Sequence, residues 1–486
     1  MFKKYLNKYW PIISILILAS ILRLYKISDY MEFLGDQGRD VTIIKDFWQN
    51  GNLFFIGPQT SIGNMYLGPF FYYLIAPFLL IFGYSPVGPA VFIALLNILT
   101  VYLIYIIGKQ WFNHKTGLIS AILFAISPVI IKYSNFIWNP NIMPLFSLLF
   151  IYFFFEGFRS KKYHYFLYAS LAFAMVMNSH YLGLALLPSV GFFWVYKFYI
   201  FYKKKSDDLK PFLKYTLLAF LIFFISLIPQ ILFDIKHQGQ NAKALLDFFT
   251  YRETTVNIKP YKSIPKLWPL FYQINTRLIA GKNEIIGLIV SIASLIGIAF
   301  LFIKRQIKDS SFLIILFWYL SGLIALALYK QHIYDHYFAF LFPAVCILFG
   351  YLISKFKYFG YLFFFLIIIF SLLENPFKYS SNHQLTTVTK IADLIINNSS
   401  DQKFNFALLA KQNYDPPYRY ILSNKKAKVV NLPATLANQL FVVCEPFQID
   451  CNPINNPEWS IAAFGWAKID QQWQIDGINI YKLIHP

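Results

Sequence analysis

Charge is scarce in this chain: 14% of its 486 residues are Asp, Glu, Lys or Arg, against 57% that are hydrophobic. Apolar runs recur along the first three quarters at close to the ~20 residues that a bilayer span requires, which excludes a soluble multi-domain enzyme. A cleavage site is missing too. Lys3, Lys4 and Lys8 precede an apolar stretch that ends near Leu24, but no small-residue site follows it. The bulky Arg23-Leu24-Tyr25-Lys26 boundary favours an uncleaved first span entering from the cytoplasm. No internal repeat is visible and the apolar runs hold almost no charge, whereas transporters tend to place charged residues near the midplane and to repeat.

What charge there is has a pattern. The net charge is +20, yet Lys and Arg fall in short connectors between apolar runs, so they report topology and not a nucleic-acid footprint. The basic connectors are Lys109–Lys115, Arg159–Lys162, Lys203–Lys210, Lys304–Lys308 and Lys355–Lys357, with the N-terminus. Placing them all in the cytoplasm gives eleven spans, at 9–25, 88–108, 116–133, 142–158, 164–180, 182–201, 213–232, 284–303, 311–329, 337–354 and 357–373. Counting the apolar segment Pro69–Phe82 as a span would reverse every later loop, so it is expected to be a re-entrant or interfacial helix. The loops 26–87, 134–141, 180–182, 233–283 and 330–336, and everything after 374, then lie outside. Aromatic residues reach 20%, which suits spans and interfacial belts.

Composition changes after residue 380. Short apolar segments at Phe404–Leu409 and Leu440–Cys444, a helical pattern at 386–397 and a turn at Asp415-Pro416-Pro417 predict a small α/β domain over 380–486 with a core of its own, behind a membrane domain over 1–379. Cys444 and Cys451 are close enough in sequence for a disulfide in an oxidising compartment, or they are two free thiols. Cys346 lies within a span and reads as a small apolar residue.

Polar residues that could carry chemistry gather in the outer loops. Gly35-Asp36-Gln37-Gly38-Arg39-Asp40 sets two carboxylates and a guanidinium at the mouth of the first span. Asp36 could act there as a general base, or Asp36, Arg39 and Asp40 could simply pair along a loop helix at i, i+3 and i, i+4. The segment Gly57–Pro69, with Asn64 and Tyr66, could line a substrate cleft or serve as a turn-rich connector. Trp138, Asn139 and Asn141 offer an indole and two amides that suit a sugar, though interfacial Trp and capping Asn explain them equally well. His180 and Tyr181 sit where a span ends, either functional or structural. Lys330, His332, His336 and Tyr337 crowd the turn before the tenth span and could hold a phosphate or be solvated charges. His332 and His336 would also suit a divalent metal if helical, but no third ligand stands at a fixed spacing, so no cofactor is expected to be required.

Asp36 after the first span, Gly68-Pro69-Phe70-Phe71-Tyr72-Tyr73-Leu74, the turn from Ser127-Pro128 through Ser134 to Trp138-Asn139-Pro140-Asn141, and His336-Tyr337 with Phe342-Pro343 together resemble the GT-C superfamily of membrane glycosyltransferases. The nearest likeness is to the bacterial branch related to protein O-mannosyltransferases and to the aminoarabinose and galacturonic acid transferases of lipid A. It covers about residues 10–350. The resemblance implies an α-helical polytopic membrane protein in a bacterial inner or plasma membrane, with an extracytoplasmic active site and C-terminal domain. It also implies an inverting transfer of a sugar from a polyprenyl phosphate to a glycolipid, polymer or protein, with Asp36 acting at the acceptor. Two departures stand out: Asn64–Pro69 lacks the basic residue common in the family, and Asn139 and Asn141 stand where many members have Asp. Phosphate binding would then fall to Arg39, His180, Lys330 or His336, with Gln37 and Asp40 beside them in the site. A transporter or flippase of a lipid-linked sugar is the alternative, and a non-catalytic scaffold, which needs no Gly-flanked Asp36, a third.

Overall fold

The computed structural model describes residues 2–61, 64–250, 259–305, 310–445 and 451–486. Every expected span is helical. Among the described residues, eight helices are long and apolar enough to cross a membrane, from Val87–Trp111 to Tyr358–Lys378, and four apolar helices are shorter. The first span is α1 (Phe2–Leu24). It is followed by the surface helix α2 (Gly35–Asn50), then α3 (Phe70–Ile81), α4 (Val87–Trp111) and α5 (His114–Ile126).

Two expected spans are interrupted. The span 116–133 stops at Ser127 and resumes as Pro128–Lys132, because Pro128 has no N–H for the carbonyl of Phe124. Arg23, 1% exposed on α1, fills that gap: its guanidinium donates to the carbonyls of Phe124 at 3.1 Å and Ala125 at 3.0 Å. A cation at the end of α5 also meets the negative pole of that helix. The span 213–232 likewise divides, into Leu209–Ser226 and Ile228–Lys236, with Pro229 in the first turn of the second piece.

The segment expected to be re-entrant or interfacial is α3, whose 12 residues extend ~18 Å against a ~30 Å bilayer core. Its first amide, Phe70 N–H, donates to Asn178 at the end of the helix α6 (Tyr165–Ser179). Just beyond its other end, the carbonyl of Tyr84 accepts from Tyr420 Oη at 2.6 Å. One end is therefore tied to α6 and the other to the C-terminal domain.

That domain contains α7 (Gln384–Asn398), α8 (Pro416–Asn424) and a four-stranded sheet of β1 (Asn405–Leu409), β2 (Gln439–Cys444), β3 (Lys468–Ile475) and β4 (Ile478–Ile484), in the order β1-β2-β4-β3. β1 and β2 are parallel, and the other pairs are antiparallel. The predicted turn at 415–417 is instead the start of α8, with two prolines in its first turn, where a missing N–H costs nothing. The sheet packs on two cores. One face of the sheet packs a small cluster of its own around Leu440, Val442 and Leu483. The other face, with Phe406, Phe441 and Ile480, joins Val41 and Ile44 of α2 and Phe71 and Ile75 of α3 in one continuous core. Cys444 and Cys451 are disulfide-bonded, their Cα atoms 5.7 Å apart.

Candidate active site

The N-terminal turn of α2 aims the acidic cluster. Gln37 Oε1 accepts the N–H of Leu34 at 2.9 Å, a side chain reaching back to the amide just ahead of the helix. With the helix started at Gly35, Asp36 and Arg39 lie on one face at i, i+3, and Arg39 Nη1 donates to Asp36 at 2.9 Å. Arg39 also grips Asp40 Oδ1, through Nε at 2.9 Å and Nη2 at 2.7 Å. Asp40 is fully buried, and Tyr72 from α3 donates its hydroxyl to it at 3.0 Å. Burial pushes the Asp40 carboxyl up to about 6, against the lowering pull of Arg39. Burial works to lower the Arg39 guanidinium, but Asp40, Tyr72 and Asp36 outweigh it and hold its pKa above the ordinary value.

Asp36 and Arg39 open onto a cavity of about 410 Å³. Its polar lining includes Trp138 and Asn139 from the turn after Pro128–Lys132, His180 and Tyr181 from the tip after α6, and His336 and Tyr337. Asn139 Nδ2 donates to the carbonyl of Ser179 at 2.6 Å, which ties two of these turns together. The Trp138 ring lies 4.4 Å from that of His336 and stacks on Phe136 and Tyr133. The same cavity is lined by the apolar side chains of Leu182, Leu184, Pro188, Leu245, Phe248 and Leu328. Among the described lining residues Arg39 is the one permanent cation.

Eight of the residues singled out by sequence thus meet at one cavity: Asp36, Arg39, Trp138, Asn139, His180, Tyr181, His336 and Tyr337. Gln59, Thr60, Ser61, Met65 and Leu67 of the segment Gly57–Pro69, expected to line a substrate cleft, line it as well, while the remaining candidates do not. Gln37 is spent on its cap and Asp40 lies behind Arg39. Asn141 is buried, its amide donating to the carbonyl of Phe136. Asn64 is exposed and Tyr66 packs on Phe233, its carbonyl accepting from Tyr181 Oη at 2.7 Å. Lys330 and His332 are exposed on a non-helical stretch, so the helical spacing that would let His332 and His336 share a metal is not there. No cluster of three His, Cys, Asp or Glu that could hold a metal occurs among the described residues. Sequence reasoning missed Tyr72 as the partner of Asp40, and also Leu245 and Phe248. These last two stand three apart on the helix Gln240–Thr250, a spacing that marks one helical face.

Residues 67–232 match the family described as dolichyl-phosphate-mannose-protein mannosyltransferase. The structure superposes on that of ArnT from Cupriavidus metallidurans bound to undecaprenyl phosphate, with a TM-score of 0.60 and 11% identity over 98% of both chains. It also matches the archaeal oligosaccharyltransferase AglB from Archaeoglobus fulgidus in complex with an inhibitory peptide and a dolichol-phosphate, with a TM-score of 0.51 and 13% identity, over 88% of this chain and 65% of that one. This chain has the GT-C fold. No curated protein matches the sequence. The GT-C match to the first of these structures runs through the C-terminal sheet as well as the helices, since it covers nearly the whole of both chains. The family match begins at Leu67, just ahead of α3, and ends within Ile228–Lys236, so it takes in the turns that carry Trp138, Asn139, His180 and Tyr181.

Proposed function

We propose that this chain is a glycosyltransferase that moves a sugar from a polyprenyl phosphate to an acceptor on the extracytoplasmic face, with inversion at the anomeric carbon. The observation that carries the reading is the mixed lining of the cavity. A carboxylate, a guanidinium, two imidazoles and an indole share one cavity with a set of apolar side chains, which suits a ligand with a sugar phosphate head and an isoprenoid tail. The matched structures contain undecaprenyl phosphate and dolichol-phosphate, which supports the same reading. A bacterial inner membrane is the proposed location, and a glycolipid, polymer or protein the proposed acceptor.

In the proposed step Asp36 takes the proton of the acceptor hydroxyl as its oxygen attacks the anomeric carbon, and the carbon–oxygen bond to the phosphate breaks. The leaving group is a phosphate monoester of low basicity and needs no general acid. Arg39 offsets the charge that collects on it. The pair of Asp36 with Arg39 adds an ordering device. A donor phosphate that takes Nη1 releases the carboxylate from its ion pair, so the base becomes free when the donor is in place. Trp138 and Asn139 are suited to stack on and hydrogen-bond the sugar.

The test is transfer from a radiolabelled polyprenyl-phosphate sugar in membranes that carry wild type or Asp36→Asn at equal expression. A general base contributes ~100- to 10,000-fold, and a loss of that size is expected with the protein still inserted and folded. Near-normal turnover in Asp36→Asn would remove this residue as the base.

A further inference from the structure

The cavity wall formed by α2 is anchored from outside the membrane helices. A helix starts with N–H groups that have no intrahelical acceptor. At Gly35 that need is met from the C-terminal domain: Asn413 Oδ1 accepts the Gly35 N–H at 2.9 Å, one residue from Asp36. Asn413 is itself buried and fixed on both sides of its amide. Its Oδ1 also accepts the Tyr414 N–H at 2.9 Å, and its Nδ2 donates to Glu445 Oε1 at 2.6 Å. Glu445 in turn accepts the Tyr418 hydroxyl at 3.0 Å, and its N–H donates to the carbonyl of Leu409 at the end of β1. It directly follows Cys444, which is bonded to Cys451.

The contact is close as well as hydrogen-bonded. A Cβ on Gly35 would stand 2.7 Å from the Tyr414 ring, and one on Gly38 would stand 2.3 Å from the backbone nitrogen of Pro417. The first turn of α2 is therefore seated against Tyr414 and the start of α8, and the chain from sheet to Glu445 to Asn413 to Gly35 ends where the proposed base begins.

We propose that Asn413 is a positioning residue for sugar transfer, holding the start of α2 so that Asp36 and Arg39 face the cavity. This rests on the function proposed above. Docking of the domain does not depend on Asn413 alone. Phe33 N–H donates to Gln384, Lys45 to Ser423, Tyr420 to the Tyr84 carbonyl, and an apolar core is shared. Those contacts hold the body of α2 as well, so loss of the Asn413 contact is expected to shift its first turn while the domain stays in place. A displacement of ~1 Å at a reacting group can cost on the order of 100-fold in rate.

The experiment exploits the polarity of the Asn413–Glu445 pair. Asn413→Asp sets two carboxylates against each other. The double variant Asn413→Asp with Glu445→Gln reverses donor and acceptor: the new amide at position 445 donates to the new carboxylate at position 413, which still accepts the Gly35 N–H. The single variant is expected to lose roughly 10- to 100-fold in kcat, with little change in KM for the polyprenyl-phosphate sugar, and to show faster hydrogen exchange at the first-turn amides of α2. The double variant is expected to recover both to within about threefold. A kcat and an exchange rate in Asn413→Asp like those of wild type, or a double variant no better than the single, would overturn the inference while the function stood. A wild type that transfers no sugar would remove the function, and the inference with it.

Discussion

Replacing Asp40 with asparagine removes the charge from a fully buried carboxylate that grips Arg39 by two nitrogens, at 2.9 and 2.7 Å. Sequence spacing alone predicts a harmless loss, since exposed pairs are worth roughly 0–1 kcal/mol. Burial changes that expectation in both directions. The Asp40 carboxyl is pushed from 3.8 up to about 6, so the folded protein holds this proton more tightly than the unfolded chain does. The sign follows from linkage. The contribution of this group to stability is full below pH ~4, falls as pH rises toward ~6, and is flat above, for a difference of ~3 kcal/mol. A neutral amide in its place carries no such penalty. Asp40→Asn is therefore expected to be as stable as wild type or more stable at pH 7, and the gap between them should close as pH falls to 4. Transfer should move the other way, because the ionised carboxylate is what orients Arg39 toward the cavity. Loss of an aimed electrostatic contact costs on the order of 100- to 1,000-fold, so the variant is expected to be slow at every pH, while wild type loses activity below pH ~6. Denaturation of both proteins in detergent across pH 4–8, beside a transfer assay, reads each arm. A variant destabilised by several kcal/mol at pH 7, or one with normal turnover, would refute the reasoning.

Two further outcomes follow from contacts already described. Gly38→Ala places a methyl group on the backbone of Pro417, which has no freedom to withdraw, and overpacking of this kind costs ~1–3 kcal/mol. Protease release of the C-terminal domain should rise in that variant, and an unchanged cleavage rate would show that the seat between α2 and α8 tolerates a shift. For sidedness, single cysteines at the exposed positions Asn64, His332 and Asn382 should react with an impermeant thiol reagent from outside, and a cysteine at Lys205 should not. Labelling of residues 64 and 382 from opposite faces would overturn the placement of α3 as a non-spanning helix.

The membrane part was legible because lipid acts on composition directly: a segment that must hide its backbone and present apolar side chains over ~20 residues leaves that record in any window of sequence. The breaks at Pro128 and Pro229 are visible as residues, but whether a proline kinks or ends a helix depends on what receives the freed carbonyls. At Pro128 that partner is Arg23, about a hundred residues earlier in the chain. β3 escaped for the opposite reason, since nearly all of it is exposed and it lacks the alternation that marks a half-buried strand.

The site divides along the same line. Asp36, Arg39, Trp138, Asn139, His180, Tyr181, His336 and Tyr337 stand out as polar or amphipathic groups at one end of apolar spans, and they do line one cavity. Gln37, Asp40 and Asn141 are the same residue types in the same loops, and no local pattern tells a side chain that faces a ligand from one that caps a helix or supports a neighbour. Their partners decide it: Leu34 for Gln37, Tyr72 for Asp40, Phe136 for Asn141. Asn413 carries this furthest, being 378 residues from the Gly35 amide it receives. The groups that face the cavity are the part of such a site that sequence displays. The groups that aim them are assigned by tertiary contact alone, and in this protein two of the aiming contacts come from α3 and from the C-terminal domain, elements that meet α2 through hydrogen bonds and a shared core.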